Sequence, residues 1–239
     1  MEKDALGDLR EPVACAISAH ALAAIVLAAG QGTRLGGPKA LLEFDGVTLV
    51  ARHVARALAC GCERVVLVVR AEVAEKIDAG ARPEVRVVIS DAPDPAGSLA
   101  VGVAALGACA RVFVTPVDTL PASDETCAAL VAALDAGARA ATPAYRDRGG
   151  HPVLCRFDVL EPYARRAAAL DPPESSWPPL RTVLRALGPE RARVEVRDPQ
   201  IAVDLDTPDD WLRLTGAAPA FAARVVLSPD TPLRLKYPR

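Results

Sequence analysis

The stretch that most constrains what this chain can fold into is residues 23–42, AAIVLAAGQGTRLGGPKALL. A run of small and β-branched apolar residues, Ala24, Ile25, Val26 and Leu27, empties into Gly30, Gly32, Gly36 and Gly37, with Arg34 and Lys39 set among and after the glycines. Glycine accepts positive φ and lets backbone N–H groups come close to an anion, and two cations neutralise charge that the amides alone cannot. The letters therefore describe a buried strand followed by a loop of phosphate-binding size.

Two common phosphate loops do not match it. The Walker form requires Gly-Lys-Ser/Thr at its end, but Gly37 is followed by Pro38, Lys39 and Ala40, so the lysine is displaced and the magnesium-binding hydroxyl is missing. The dinucleotide fingerprint requires a third glycine where Leu35 stands and an acid where Arg70 stands, although an arginine there would suit a 2′-phosphate.

The rest of the chain alternates strand and helix patterns. Residues 48–59 place Leu49, Val50, Val54, Ala57 and Leu58 at helical spacing, after a short connection that turns at Asp45 and Gly46. Residues 63–69 form a continuous β-branched run, as expected of a strand covered on both faces. A short helix is expected over residues 72–79, strands over 84–89 and 111–115, and an apolar helix opening at Gly97 and Ser98 and running to Leu106. Further on come a helix over 123–136 capped by Ser123, a strand over 138–143, a polar turn over 145–152, a strand over 153–155 and a helix over 180–187. This alternation implies parallel βαβ units with right-handed crossovers, hence an α/β fold with one Rossmann-like domain and a mostly parallel central sheet. The domain is expected over residues 21–216, with an extension over 1–20 and a tail over 217–239 that adds an edge strand at 224–227. At 239 residues, two full domains would be cramped.

Asp118 lies just past the carboxyl end of the strand at 111–115, where open α/β sheets bind ligands, so it is expected to face the crevice of the glycine loop. Asp204 and Asp206 alternate with Val203 and Leu205, which would send both carboxylates from one face of an extended segment, and Thr207 can cap a helix whose first residue is Pro208.

Beyond the fold, the pattern Leu27, Ala28, Ala29, Gly30, Gln31, Gly32, Thr33, Arg34, Leu35, Gly36, with Lys39 shortly after, resembles the opening signature of the nucleotidyltransferases, and in particular their molybdenum-cofactor branch. The likeness extends over residues 23–214. It implies a nucleotide-diphospho-sugar transferase type of fold and transfer of CMP, or GMP, from CTP or GTP to molybdopterin cofactor, with release of pyrophosphate. It also implies that Leu27, Ala28, Ala29, Gly30, Gly32, Thr33, Arg34 and Lys39 contact the nucleotide, with Arg34, Lys39 and Asp118 catalytic. In that family an aspartate in a P-x-D-x-P-like turn and another in a D-x-D-T-P-x-D segment hold Mg²⁺; these map to Asp118 and Asp206, the first turn being one residue longer here. Ser98 resembles the small polar turn that meets nucleotide or acceptor, and the run Gly150, His151, Pro152, Val153 resembles a motif lining the acceptor pocket. The alanine at position 29 is more like the cytidylyl branch, which favours CTP.

The implied partners are CTP or GTP, molybdopterin cofactor, and a molybdoenzyme or its chaperone as receiver. Sugar phosphate or methylerythritol phosphate would be the alternative acceptors, and a non-catalytic nucleotide-binding regulator or cofactor chaperone the alternative outside catalysis. A formal net charge of −2 gives no reason to expect a nucleic-acid partner. Residues 12–33 carry no Asp, Glu, Lys or Arg before Arg34, but Ser18, His20 and the glycine loop argue against a membrane span, and the acidic start is unlike a signal peptide. Six cysteines without a CxxC pair read as reduced, mostly buried thiols, so a cytoplasmic location is expected.

Overall fold

A computed structural model describes residues 21–80, 82–107, 109–167 and 177–233. The β-branched runs form the middle of one mixed sheet: β1 (Leu22–Ala28), β2 (Arg64–Val69), β3 (Val85–Ile89), β4 (Arg111–Pro116), β5 (Ala140–Tyr145), β6 (Val153–Arg156) and β7 (Arg191–Glu195) lie in the order β7-β5-β6-β4-β1-β2-β3. Neighbours are parallel except that β6 runs antiparallel to β4 and β5, so the sheet is mostly parallel, as the alternating pattern implies. A two-residue strand, Arg148–Gly149, folds back on β5 through Arg146 and Asp147, both at positive φ.

Successive side chains of β1 point to opposite faces, and the core divides accordingly. Ala24, Val26 and Ala28 face a layer built from α1 (Leu49–Ala59), α3 (Asp124–Asp135) and α6 (Pro208–Thr215), where Trp211 is 1% exposed. Ala23 and Ile25 face α2 (Pro95–Leu106), α4 (Phe157–Ala167) and α5 (Leu180–Ala186). Few aromatics are available, so aliphatic side chains fill both layers. At Gly102 of α2 a methyl group would lie 2.8 Å from Ile25 Cγ2 and 2.9 Å from Val68 Cγ2, so this glycine lets the helix settle against the sheet.

Several boundaries differ from the sequence reading. Residues 72–79 form one helical turn, Ala71–Ala74, and then Ile77–Asp78 pairs in parallel with Val225–Val226. The tail strand thus forms, but against this segment and not on the edge of the main sheet. Helix α2 starts two residues earlier than Gly97, because the Asp94 side chain accepts from the N–H groups of Ala96 and Gly97, both at 2.9 Å, and Pro95 fills the first turn without needing a partner. Helix α4 and strand β7 were not read from the sequence at all.

The five described cysteines, Cys60, Cys62, Cys109, Cys127 and Cys155, are free thiols. Among the described residues no helix is long and apolar enough to cross a membrane. The extension over 1–20, Cys15, His20 and most of the proline-rich stretch over 171–179 lie outside the described residues.

Candidate active site

Strand β1 pairs with β2 on one side and β4 on the other, while the chain visits β2 and β3 before returning to β4. The carboxyl ends of β1 and β4 therefore flank the topological switch point, the place where such sheets open a ligand crevice. A cavity of about 610 Å³ lies there.

The glycine loop forms one wall. After β1 the chain reaches Gly32 at φ 62°, makes a tight turn over Thr33–Leu35, passes Gly36 at φ 91° and makes a second turn over Lys39–Leu41. The N–H groups of Leu35 and Gly37 both donate to Gly32 O, at 2.9 and 3.2 Å. A methyl group on Gly32 would stand 1.9 Å from Gly37 O, so no larger residue fits the turn. Leu35, 3% exposed, anchors the loop in the core and leaves the Arg34 side chain outside, 71% exposed.

Asp118 and Asp206 form the opposite wall, brought together by backbone pairing. Val117 N–H donates to Leu27 O at 2.9 Å, which ties the Asp118 turn to the end of β1, and the Thr119 hydroxyl closes that turn on Pro116 O. Leu205 N–H then donates to Asp118 O at 2.8 Å, and Thr119 and Asp204 form an antiparallel bridge. Immediately afterwards Thr207 caps α6 in a reciprocal box with Asp210, and Asp210 Oδ2 also accepts from Asp206 N–H at 3.3 Å. Removing that cap by Thr207→Ala is expected to cost about 1 kcal/mol of stability in urea unfolding. It should also lower activity through the loosened Asp206; unchanged values for both would disprove the coupling.

Lys39 joins the two walls. Its Nζ donates to Asp118 Oδ2 at 3.0 Å and to Asp206 Oδ1 at 2.6 Å, and Arg34 Nη2 lies 3.4 Å from Asp206 Oδ2. Burial alone would lower the Lys39 pKa, but the hydrogen bond to Asp206 and the charge of Asp118 outweigh it and hold the ammonium above its ordinary value. The hydrogen bond from Lys39 in turn keeps the Asp206 carboxyl below the usual range.

Behind Asp118 lie two imidazoles. His53 is 3% exposed with Nε2 2.8 Å from Thr119 O, and burial pushes its pKa down to about 4. Burial also lowers His151, whose Nδ1 is enclosed with no hydrogen-bond partner among the described residues. An unfolded chain would take up a proton on His53 near pH 6.5, before the folded protein does. The stability that neutral His53 contributes is therefore complete above about pH 6.5 and is lost as pH falls towards 4, roughly 3 kcal/mol at most. Urea unfolding between pH 7.5 and 4.5 should show that loss in the wild type and a shallower slope in His53→Gln; equal slopes would rule it out.

Of the residues singled out in the sequence, Leu27, Ala29, Gly30, Gly32, Thr33, Arg34, Lys39, Ser98, Asp118 and Asp206 all line the cavity. Ala28 is buried beneath the loop, at 2% exposure, and does not line the cavity. His151 lies behind the Asp118 turn and is not among the lining residues. Ser98 is 5% exposed, with its hydroxyl 3.2 Å from that of Ser90. Asp204 and Asp206 flank the buried Leu205 but serve different places: Asp206 lines the cavity, whereas Asp204 bridges to Thr119 and lines a separate shallow groove with Arg148 and Arg213. Sequence reasoning missed Arg70 and Asp91, which reach the cavity from the ends of β2 and β3 with their charged groups 3.7 Å apart. The same strand-end rule that marked Asp118 would have found Asp91.

A mostly parallel α/β sheet with a cationic glycine loop and two aspartates at its switch point defines a nucleotide-binding transferase architecture. The chain belongs to the MobA-like NTP transferase domain family, whose model matches residues 24–192, and is a nucleotidyltransferase. It is 30% identical over 193 residues to a molybdenum cofactor guanylyltransferase of Xanthomonas euvesicatoria pv. vesicatoria (strain 85-10), a match covering 80% of this chain and 92% of that protein. A shorter match, 44% identical over 95 residues, links it to the bifunctional enzyme IspD/IspF of Clavibacter michiganensis subsp. michiganensis (strain NCPPB 382); it spans 36% of this chain and only 23% of that protein. Among solved structures, a Mycobacterium tuberculosis rv0371c homologue from Mycobacterium sp. strain JC1 shares the fold, with TM-score 0.65, 24% identity and coverage of 82% of this chain and 96% of that one.

Proposed function

We propose that the protein transfers CMP or GMP from its triphosphate to the terminal phosphate of molybdopterin cofactor and releases pyrophosphate, with Mg²⁺ held by Asp118 and Asp206. The observation that carries this reading is the convergence of Asp118 and Asp206 on Lys39 Nζ, at the mouth of the glycine loop. Two carboxylate oxygens that already share one cationic atom make an oxygen-only donor pair of the kind Mg²⁺ takes, with phosphate oxygens and waters completing its octahedron. When bound, the ion would neutralise charge on the phosphates.

The chain's own residues do the rest by position and charge. Loop amides and Arg34 orient the triphosphate, and Lys39 exchanges its carboxylate partners for phosphate oxygens as the nucleotide enters. An acceptor phosphate oxygen then attacks the α-phosphorus in line, the bond to the bridging oxygen on the far side breaks, and pyrophosphate carries the electron pair away. A phosphate monoester has its second pKa near about 6, so it is largely ionised at neutral pH and the attack needs no strong base. Catalysis then rests on orientation and on fixed cations aimed at the developing charge.

The guanylyltransferase relative, matched over most of both chains, supports the molybdopterin acceptor, while Ala29 supports the cytidylyl form. A second reading, a methylerythritol phosphate or sugar phosphate acceptor, is favoured by the 44% identical segment shared with the bifunctional relative. Pyrophosphate release measured with CTP and with GTP against each acceptor separates them. Turnover with molybdopterin cofactor alone is the expected result, and turnover only with one of the other phosphates would replace it.

A further inference from the structure

The segment after α6 lies beyond residues 24–192 matched by the family model, yet it is built into the wall that carries Lys39. Glu43 N–H donates to Ala220 O and Ala222 N–H donates to Leu41 O, both at 2.9 Å, so Phe221 and Leu42 face each other in an antiparallel bridge. The Phe221 ring covers Gly37: a methyl group there would lie 3.0 Å from ring atom Cε1. Lys39 sits between these two attachments, the ring on one side and the backbone bridge on the other. The far end of the segment is fixed separately. Val225 N–H donates to Lys76 O at 2.8 Å, Leu227 N–H to Asp78 O at 3.0 Å, and both side chains are buried. Arg52 of α1, 1% exposed, completes the path, with Nη2 donating to Phe44 O and Nη1 to Pro232 O.

A loop so rich in glycine loses much conformational freedom when it closes on a ligand, and any contact that orders it beforehand raises affinity. We propose that residues 217–233 act as a strap that holds the loop over residues 36–42 in its gripping shape, with Phe221 as the positioning residue. The strap touches Gly37 and the backbone of residues 41–43, so it acts on the nucleotide through Lys39. The inference rests on the reading that this loop grips a triphosphate.

The test is calorimetric titration of the full chain with CTP and with GTP in the presence of Mg²⁺, together with thermal unfolding, for wild type, Phe221→Ala, Phe221→Leu and Val225→Ala. Phe221→Ala should weaken the tighter of the two nucleotides about tenfold or more, and Phe221→Leu should recover most of that loss. Val225→Ala, which loosens the strap at its far end, should lower the unfolding temperature and weaken the same nucleotide by less than Phe221→Ala does. Wild-type affinity in Phe221→Ala, or a loss in Phe221→Leu as large as in Phe221→Ala, would overturn the strap and leave the triphosphate reading standing. Wild-type protein that binds neither nucleotide would instead remove the triphosphate reading, and the strap with it. Should Phe221→Ala fail to fold, Gly37→Ala probes the same contact from the loop side: weaker nucleotide binding supports the strap and unchanged binding rejects it.

Discussion

Replacing Lys39 by alanine is expected to lower kcat/KM by about a hundred- to a thousandfold, the usual consequence of removing a preorganised group that meets transition-state charge. The ammonium is within hydrogen-bonding distance of both Asp118 and Asp206, so its loss has a second, opposite effect. Without it, the exposed Arg34 beside Asp206 is the remaining cation at the pair, and a divalent cation no longer has to displace a bound amine. Affinity for Mn²⁺ in the absence of nucleotide should therefore rise in Lys39→Ala while turnover falls. Electron paramagnetic titration of free Mn²⁺ and a pyrophosphate assay read the two effects separately. Wild-type turnover in Lys39→Ala would remove this residue from the mechanism.

The second large effect concerns the carboxylates. Asp118→Asn and Asp206→Asn are each expected to reduce kcat/KM by about a hundred- to a thousandfold, and the double variant by little more than either alone, because residues acting as one unit are not additive. Each variant also breaks a hydrogen-bonded ion pair with Lys39, so the loss should persist at saturating Mg²⁺. Losses that multiply in the double variant would show that the two carboxylates act independently.

Much of the site was legible because its parts are local in sequence. Ala24 to Lys39 carries the strand, the turn glycines and the cations in one run, and β-branched letters with abrupt glycines leave little choice of structure. Asp118 was legible from its place after a buried strand, and Thr207 and Pro208 announced the helix start that sets Asp206. What was not legible depends on pairing between distant segments. The antiparallel course of β6 follows from contacts with β4 and β5, and Ile77–Asp78 became a strand only because Val225–Val226 reaches it.

The divergence of Asp204 from Asp206 has the same origin. Alternation places both on the side away from the buried Leu205, but which of them reaches the cavity depends on partners distant in sequence: Lys39 for Asp206, and Thr119, Arg148 and Arg213 for Asp204. Helix α4 has an interior proline, Pro162, which weakened its pattern, and β7 carries Arg191 and Arg193 and sits at the edge of the sheet, so it shows no apolar run. Arg70 entered the sequence reading only as a misfit to the dinucleotide pattern, and its approach to Asp91 depends on β2 and β3 being neighbours.

The most direct measurement is the dissociation constant of CTP or GTP across a Mg²⁺ titration, in wild type and in the Asp118→Asn, Asp206→Asn double variant. A triphosphate that bridges the glycine loop and the two aspartates through a shared ion must bind more tightly as Mg²⁺ is added to the wild type, and must lose most of that gain in the double variant. Equal Mg²⁺ dependence in the two proteins would contradict the account.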